Sequence, residues 1–211
     1  NQHILFTTKT GVIKKSNLSS YRNIRKGGII AINIEDGDEL IAALMTNGHN
    51  EVVLITKDGM SIRFSEEGIR DMGRTATGVW GIRPAKGDFV IGAALVVADT
   101  TLLVAGANGV GKRTEFDEYR LQGRGGKGII TMKVTDKTGD VVGALSVRET
   151  DEIMLITSGG QSVRTRVSEI RMTGRNAQGV RLIGLGEGEK LQAMAPVVSQ
   201  SMEEEIESVE I

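Results

Sequence analysis

The 211-residue chain pairs 39% apolar residues with only 3% aromatics, so its core must rest on Ile, Val, Leu, Met and Ala. Twenty-eight glycines, 2 prolines and no cysteine point to many turns and exclude a disulfide framework, a cysteine zinc site and a thiol nucleophile. The net charge of −1 hides an asymmetry: five of the 27 acids are glutamates in residues 202–211, and the remaining 22 face 26 bases, a body of +4.

In chain order, Ile4-Leu5-Phe6-Thr7 meets a turn at Lys9-Thr10-Gly11, then Val12-Ile13-Lys14-Lys15 and a polar stretch. Residues 29–34, a turn at Glu35-Asp36-Gly37-Asp38 and residues 40–45 complete a first unit. These are short β-rich runs between Gly and Asp punctuation, too short for helices, and they predict four strands per unit. The pattern returns at 52–55 and 60–64, at 102–104 and 110–114, and at 153–156 and 162–165.

Two glycine series keep the same period. Gly11, Gly59, Gly109 and Gly160 form one, and Gly28, Gly78, Gly128 and Gly179 the other, each advancing by about 50 residues. One supersecondary unit copied four times is the economical reading, with blades at about 1–48, 49–98, 99–148 and 149–197 and an acidic tail at 198–211. Four-stranded units of this size fit an all-β, propeller-like array in which neighbours bury the sheet faces that one blade alone leaves open.

Bases recur with the glycines. Lys15, Arg63, Arg113 and Arg164 stand four residues after the turn glycines, and Arg25, Lys26, Arg74, Arg124, Lys127 and Arg175 stand near the second series. Equivalent positions of an array project to equivalent places, so these predict a basic stripe along one edge that tracks a phosphate backbone without reading sequence. Gln122-Gly123-Arg124-Gly125-Gly126-Lys127-Gly128 is the sharpest local signal, a glycine loop that lets amides and two bases approach a phosphate.

Other motifs carry less. Gly106 to Lys112 has P-loop spacing, but Arg113 stands where a magnesium-holding Ser or Thr belongs and no helix follows. His3, His49, Tyr21 and Tyr119 have no visible catalytic partners, and Asp36/Asp38 and Asp136/Asp140 read as turn carboxylates before they read as a cation site. No cofactor, metal or catalytic residue is expected. With no run of about 18 apolar residues and no leader pattern in residues 1–10, no membrane span or signal peptide is expected, and the chain reads as cytoplasmic.

Several stretches carry a family resemblance: Asp36-Gly37-Asp38-Glu39-Leu40-Ile41, Met72-Gly73-Arg74, Gly78-Val79-Trp80-Gly81-Ile82-Arg83, Gly111-Lys112-Arg113-Thr114, residues 163–170 and residues 174–180. Through them the chain resembles the C-terminal domain of the bacterial DNA gyrase A protein, a β-pinwheel that wraps duplex DNA around its edge. Residues 122–128 are similar to that family's Gln-Arg-Arg-Gly-Gly-Lys-Gly box, with Gly123 in place of a base and a third-repeat position where the family has its box in the first blade. The family usually has six blades, so this chain resembles the last four.

The resemblance implies a non-catalytic domain that binds, bends and wraps double-stranded DNA without sequence preference. It adds Lys112 and Gln122 to the DNA-binding candidates, and implies partners in the rest of the gyrase A protein and in the gyrase B protein within a heterotetramer. The catalytic tyrosine, ATP and magnesium would belong to other parts of that enzyme. The C-terminal domain of topoisomerase IV and a protein-interaction propeller are the alternatives.

Overall fold

The computed structural model describes residues 2–22 and 26–198. Arg25 and nearly all of the acidic tail, 199–211, lie outside the described residues.

The first repeat supplies β1 (His3–Thr8), β2 (Val12–Asn17) and β3 (Leu40–Thr46). The second supplies β4 (Glu51–Thr56), β5 (Met60–Ser65), β6 (Val79–Trp80) and β7 (Val90–Val96). The third supplies β8 (Thr101–Gly106), β9 (Val110–Glu115), β10 (Ile129–Ile130) and β11 (Val141–Val147), and the fourth β12 (Glu152–Thr157), β13 (Ser162–Arg166), β14 (Val180–Arg181) and β15 (Leu191–Pro196). A single device makes three of the four tight hairpins: in the second, the Gly59 amide bonds the Thr56 carbonyl at 3.0 Å and the Met60 amide donates to Thr56 Oγ1 at 3.1 Å. Thr8 with Val12 and Thr157 with Gln161 repeat it.

The blades do not coincide with the repeats. The sheet orders are β3-β1-β2-β6, β7-β4-β5-β10, β11-β8-β9-β14 and β15-β12-β13, so the outermost strand of each complete blade comes from the following repeat. Val12 pairs with Trp80, Met60 with Ile130 and Val110 with Arg181. Residues 29–34, expected as a strand, are not one. The equivalent segments of later repeats are held by the blade before them, and no such blade precedes the first among the described residues.

At the other end of each sheet, β3, β7, β11 and β15 pack against one another in sequence and line the inside of the array. Small residues permit this approach: Gly92 lies beside Ala144, and Gly143 beside Met194.

Three cores sit between blades, not within them. Leu5, Val52, Leu54, Ile62 and Phe64 fill the first junction, Val53, Ile55, Leu102, Val104 and Met132 the second, and Leu103, Ala105, Ile153, Leu155 and Ile183 the third. Thus β4 sends alternate side chains into two different cores, which is why Val52-Val53-Leu54-Ile55 is apolar throughout. Fully burying each such aliphatic side chain contributes about 1.5–3 kcal/mol.

Both glycine series mark close approach between blades. Gly59 has φ +85°, and a Cβ there would drive into the Met132 carbonyl of the next repeat. Gly128 has φ +81°, and a Cβ would strike the Ser61 carbonyl of the preceding one. Their equivalents Gly160 and Gly28, at the two ends of the array, face open space.

Candidate nucleic-acid interface

The four bases that follow the turn glycines do not form a surface stripe. Lys15, Arg63 and Arg113 reach across the junction to the next blade and cap its short 3-10 turn. Lys15 Nζ donates to the carbonyls of Glu66 and Ile69 at 3.3 Å each. Arg63 Nη1 donates to those of Phe116 and Tyr119 at 2.8 and 3.2 Å, and Arg113 Nε to that of Ile170 at 3.2 Å. Carboxylates complete the latches: Glu66 on Lys15, Glu51 on Arg63, Glu149 on Arg113. The physical reason is that an inner blade has no outside. Ile62 and Phe64 point into one junction, so Arg63 between them must point into the other. Arg164, with no following blade among the described residues, stays exposed and pairs with Glu152 of its own hairpin.

Lys112 is likewise interior. It is fully buried, and its ammonium donates to the carbonyls of Gly174, Arg175 and Ala177 in the next repeat's outer loop. Burial lowers its pKa to about 8, with Glu118 opposing and the Arg175 charge adding to the fall.

The second series does reach the outer rim. Arg74 Nη1 donates to the Ile30 carbonyl at 2.9 Å, Arg124 Nη1 to that of Trp80 at 3.2 Å and Arg175 Nη1 to that of Ile130 at 2.6 Å. One contact thus recurs at three junctions, and each guanidinium keeps further N–H groups for a ligand. Lys26 and Lys127 are exposed. Gln122 starts the glycine loop by donating its amide to the Arg63 carbonyl at 2.8 Å. That loop is less a free phosphate cradle than a docked element. The Gly125 amide is committed to the Gly81 carbonyl at 2.7 Å, and the Arg83 amide to that of Gly126 at 3.0 Å.

Charge is sorted around this rim. Residues 22–34, 72–86, 119–135 and 170–186, whose described parts make up the outer loops and short strands, hold 13 of the 26 lysines and arginines and none of the 27 carboxylates. The sequence reading missed several bases on or beside these stretches: Arg22, Arg70, Arg120 and Arg171, exposed at one register just after each 3-10 turn, Arg83 and Lys133 beyond the short strands, and Arg181 at the end of one. The absence of acid over each stretch of 13 to 17 residues was the signal available for most of them. The acids gather on the two flanks. Asp36, Asp38, Asp58, Asp88, Asp136, Asp140, Glu187 and Glu189 lie on the hairpin-turn side, and Glu67, Asp117, Glu118, Glu149, Asp151 and Glu169 on the other.

Where their contacts are defined, the flank acids serve turns, ion pairs and loop docking: Glu149 latches Arg113, Glu67 meets His49 and Glu118 accepts from the Arg175 amide. Asp38 accepts from the Thr10 amide and hydroxyl and from the Glu39 amide. Burial works against its ionised form, yet these hydrogen bonds hold its carboxyl below the usual range. Among the described residues no group of three or more metal-ligating side chains exists. Tyr119 is buried against Thr131, and His3 and His49 meet Asp71 and Glu67. Among the described residues, no helix is long and apolar enough to cross a membrane.

A row of guanidiniums and ammoniums that recurs from blade to blade, bounded by acid, offers contacts to a polyanion backbone and, among the described residues, no element that enters a groove. Sequence comparison agrees with this geometry. The family described as DNA gyrase C-terminal domain, beta-propeller, matches at residues 2–47, 50–96, 100–148 and 151–197. The chain belongs to this gyrase C-terminal domain family.

Similar to it are the DNA gyrase A proteins of Salmonella typhimurium, 43% identical over 99% of the chain, and of Mycolicibacterium smegmatis, 44% identical over 92%. The chain spans 24% and 23% of the length of these relatives. Among solved structures, a DNA gyrase A C-terminal domain superposes with a TM-score of 0.84 at 27% identity, covering 94% of this chain and 66% of that one. A DNA topoisomerase IV C-terminal domain gives 0.87 at 25% identity, covering 93% and 62%. The gyrase C-terminal domain family is therefore represented here by a four-repeat β-pinwheel array whose blades exchange their outermost strands.

Proposed function

We propose that this chain is a DNA-binding, bending and wrapping part of a gyrase A protein, without sequence preference and without chemistry of its own. The observation that carries the reading is the acid-free rim with half of all the bases. Bending a duplex over 20–30 base pairs costs on the order of 1–6 kcal/mol, and a row of phosphate contacts repeated at every junction offsets that cost collectively. In the whole enzyme, wrapping would present a segment for strand passage and support negative supercoiling. The gyrase B protein, ATP, magnesium and the cleaving tyrosine would act outside this chain, and the site of action is the cytoplasm.

The candidates at the rim are Lys26, Arg74, Gln122, Arg124, Lys127 and Arg175, to which the geometry adds Arg83, Lys133 and Arg181. Arg25 joins them by sequence alone. The test is binding to a duplex of about 40 base pairs across a salt series, where each neutralised phosphate contributes about −0.9 to the slope of log K against log salt. A slope of about −4 to −7 supports the reading, and no binding at low salt overturns it. The topoisomerase IV likeness in shape gives the second reading. Relaxed circles bound by the chain and then closed by ligase distinguish them, since strong wrapping changes linking number and simple binding does not.

A further inference from the structure

We infer that the rim binds duplex DNA through paired contacts, an arginine for the phosphate and an apolar side chain for the deoxyribose edge beside it, with Trp80 the strongest of the apolar members. The inference rests on the DNA-binding reading above and adds a class of contact that charge alone does not supply.

Ile30, Trp80 and Ile130 occupy one register in three successive repeats and are 66%, 41% and 48% exposed, although the chain has aliphatic cores that could have taken them. Each carries on its own carbonyl the guanidinium of the following blade: Arg74, Arg124 and Arg175 respectively. The cation is therefore anchored on the backbone of the same residue that exposes the apolar side chain. Trp80 gains a second cation, with the Arg83 guanidinium 5.7 Å from its ring centre. Gly125 has φ +86°, and a Cβ placed on it would lie 3.5 Å from the Trp80 carbonyl oxygen and 3.6 Å from Trp80 Cβ, so the indole stands at the edge of the densest basic loop.

The surroundings choose the occupant. Residues 72–86 and 119–135, the stretch that bears Trp80 and the one that docks beside it, contain seven bases and no acid; the acids that share the clefts lined by Trp80, Glu35, Asp36, Asp38 and Asp88, lie on the hairpin-turn side, so the balance favours a polyanion over a basic or neutral protein surface. A DNA backbone alternates anionic phosphate with deoxyribose, whose C–H edge is its apolar face. Guanidinium and indole set next to each other match that alternation. The two contacts also separate thermodynamically. Phosphate neutralisation releases counterions and fades with salt, whereas apolar burial does not.

Trp80 is the single tryptophan, so its emission reports this position alone. The experiment titrates the 211-residue chain with a fluorescently end-labelled duplex of about 40 base pairs, following label anisotropy and, in parallel with unlabelled duplex, Trp80 emission and acrylamide quenching. The inference expects Trp80 to lose quencher access and shift its emission over the same DNA concentrations that raise the anisotropy. Trp80→Ser should weaken binding roughly five- to tenfold with an unchanged salt slope, whereas Arg124→Ala should weaken it and make the slope shallower by about one. Trp80→Ile, which installs the residue found at 30 and 130, should hold affinity within about twofold and guards against a folding defect. Anisotropy that rises normally while Trp80 stays equally quenchable overturns this inference and leaves the DNA-binding reading intact. Absence of any anisotropy change at low salt overturns both.

Discussion

Lys15 and Glu66 form an ion pair with Nζ 3.3 Å from Oε1 and both side chains buried across the first junction. Glu66 is satisfied on every side, by Thr46 Oγ1 at 2.7 Å and the Asn50 amide at 2.9 Å as well as by the lysine. Glu66→Ala therefore leaves a buried ammonium without its countercharge and should cost about 3–5 kcal/mol in urea unfolding. The double change Lys15→Met with Glu66→Gln should recover a large part of that loss. Equal destabilisation by the single and double variants would disprove the pairing argument.

Interior and rim arginines should separate cleanly. Arg113→Met removes a buried charged donor from the Ile170 carbonyl and should lower stability by about 2–3 kcal/mol. Arg124→Ala touches one exposed carbonyl and should stay within about 0.5 kcal/mol of the parent. For DNA the order reverses: the salt slope should drop by about one in the Arg124 variant and hold in the Arg113 variant, measured in protein still fully folded.

Lys112 gives a pH dependence with a definite sign. Its folded pKa, about 8, lies below the ordinary 10.5, so between these values the unfolded chain binds more protons than the folded one. Stability from this group is thus greatest above 10.5, falls as pH drops through that window, and is flat below about 8. Thermal melts from about pH 8 to 9.5 should show a rise that Lys112→Met abolishes.

Gly59 and Gly160 share a register and a positive φ but not a neighbour. Gly160→Ala should cost only the left-handed backbone penalty of about 1–2 kcal/mol. Gly59→Ala adds the collision with the Met132 carbonyl and should cost at least twice as much. Equal costs would mean that the blades can part at no expense.

The strands were legible because their punctuation is local: Thr56 and Gly59, Thr157 and Gly160 set hairpins whose partners lie a few residues apart. The strand exchange was not, since Val79-Trp80 and Ile129-Ile130 look alike whether they join their own blade or the one before. Lys15, Arg63 and Arg113 were misplaced for a related reason. A position can recur because every blade meets solvent there or because every blade meets its neighbour there, and the 50-residue period is the same in both cases. Charge exclusion discriminates better. Arg63 and Arg113 have acids within three residues, at Glu66 and Glu115, whereas Arg124 and Arg175 stand six residues or more from any acid; Arg74, three residues from Asp71, is the exception.

Because β6, β10 and β14 each belong to one repeat and complete the blade of another, no contiguous piece of chain is a complete blade. The same two-residue strands carry the rim, so a duplex springing back toward straightness would load the stitches that join neighbours before it loaded any blade alone. Tension applied at one rim position is then shared along the array as in a chain of overlapping tiles. A shortened array would lose its grip at the exposed last tile first.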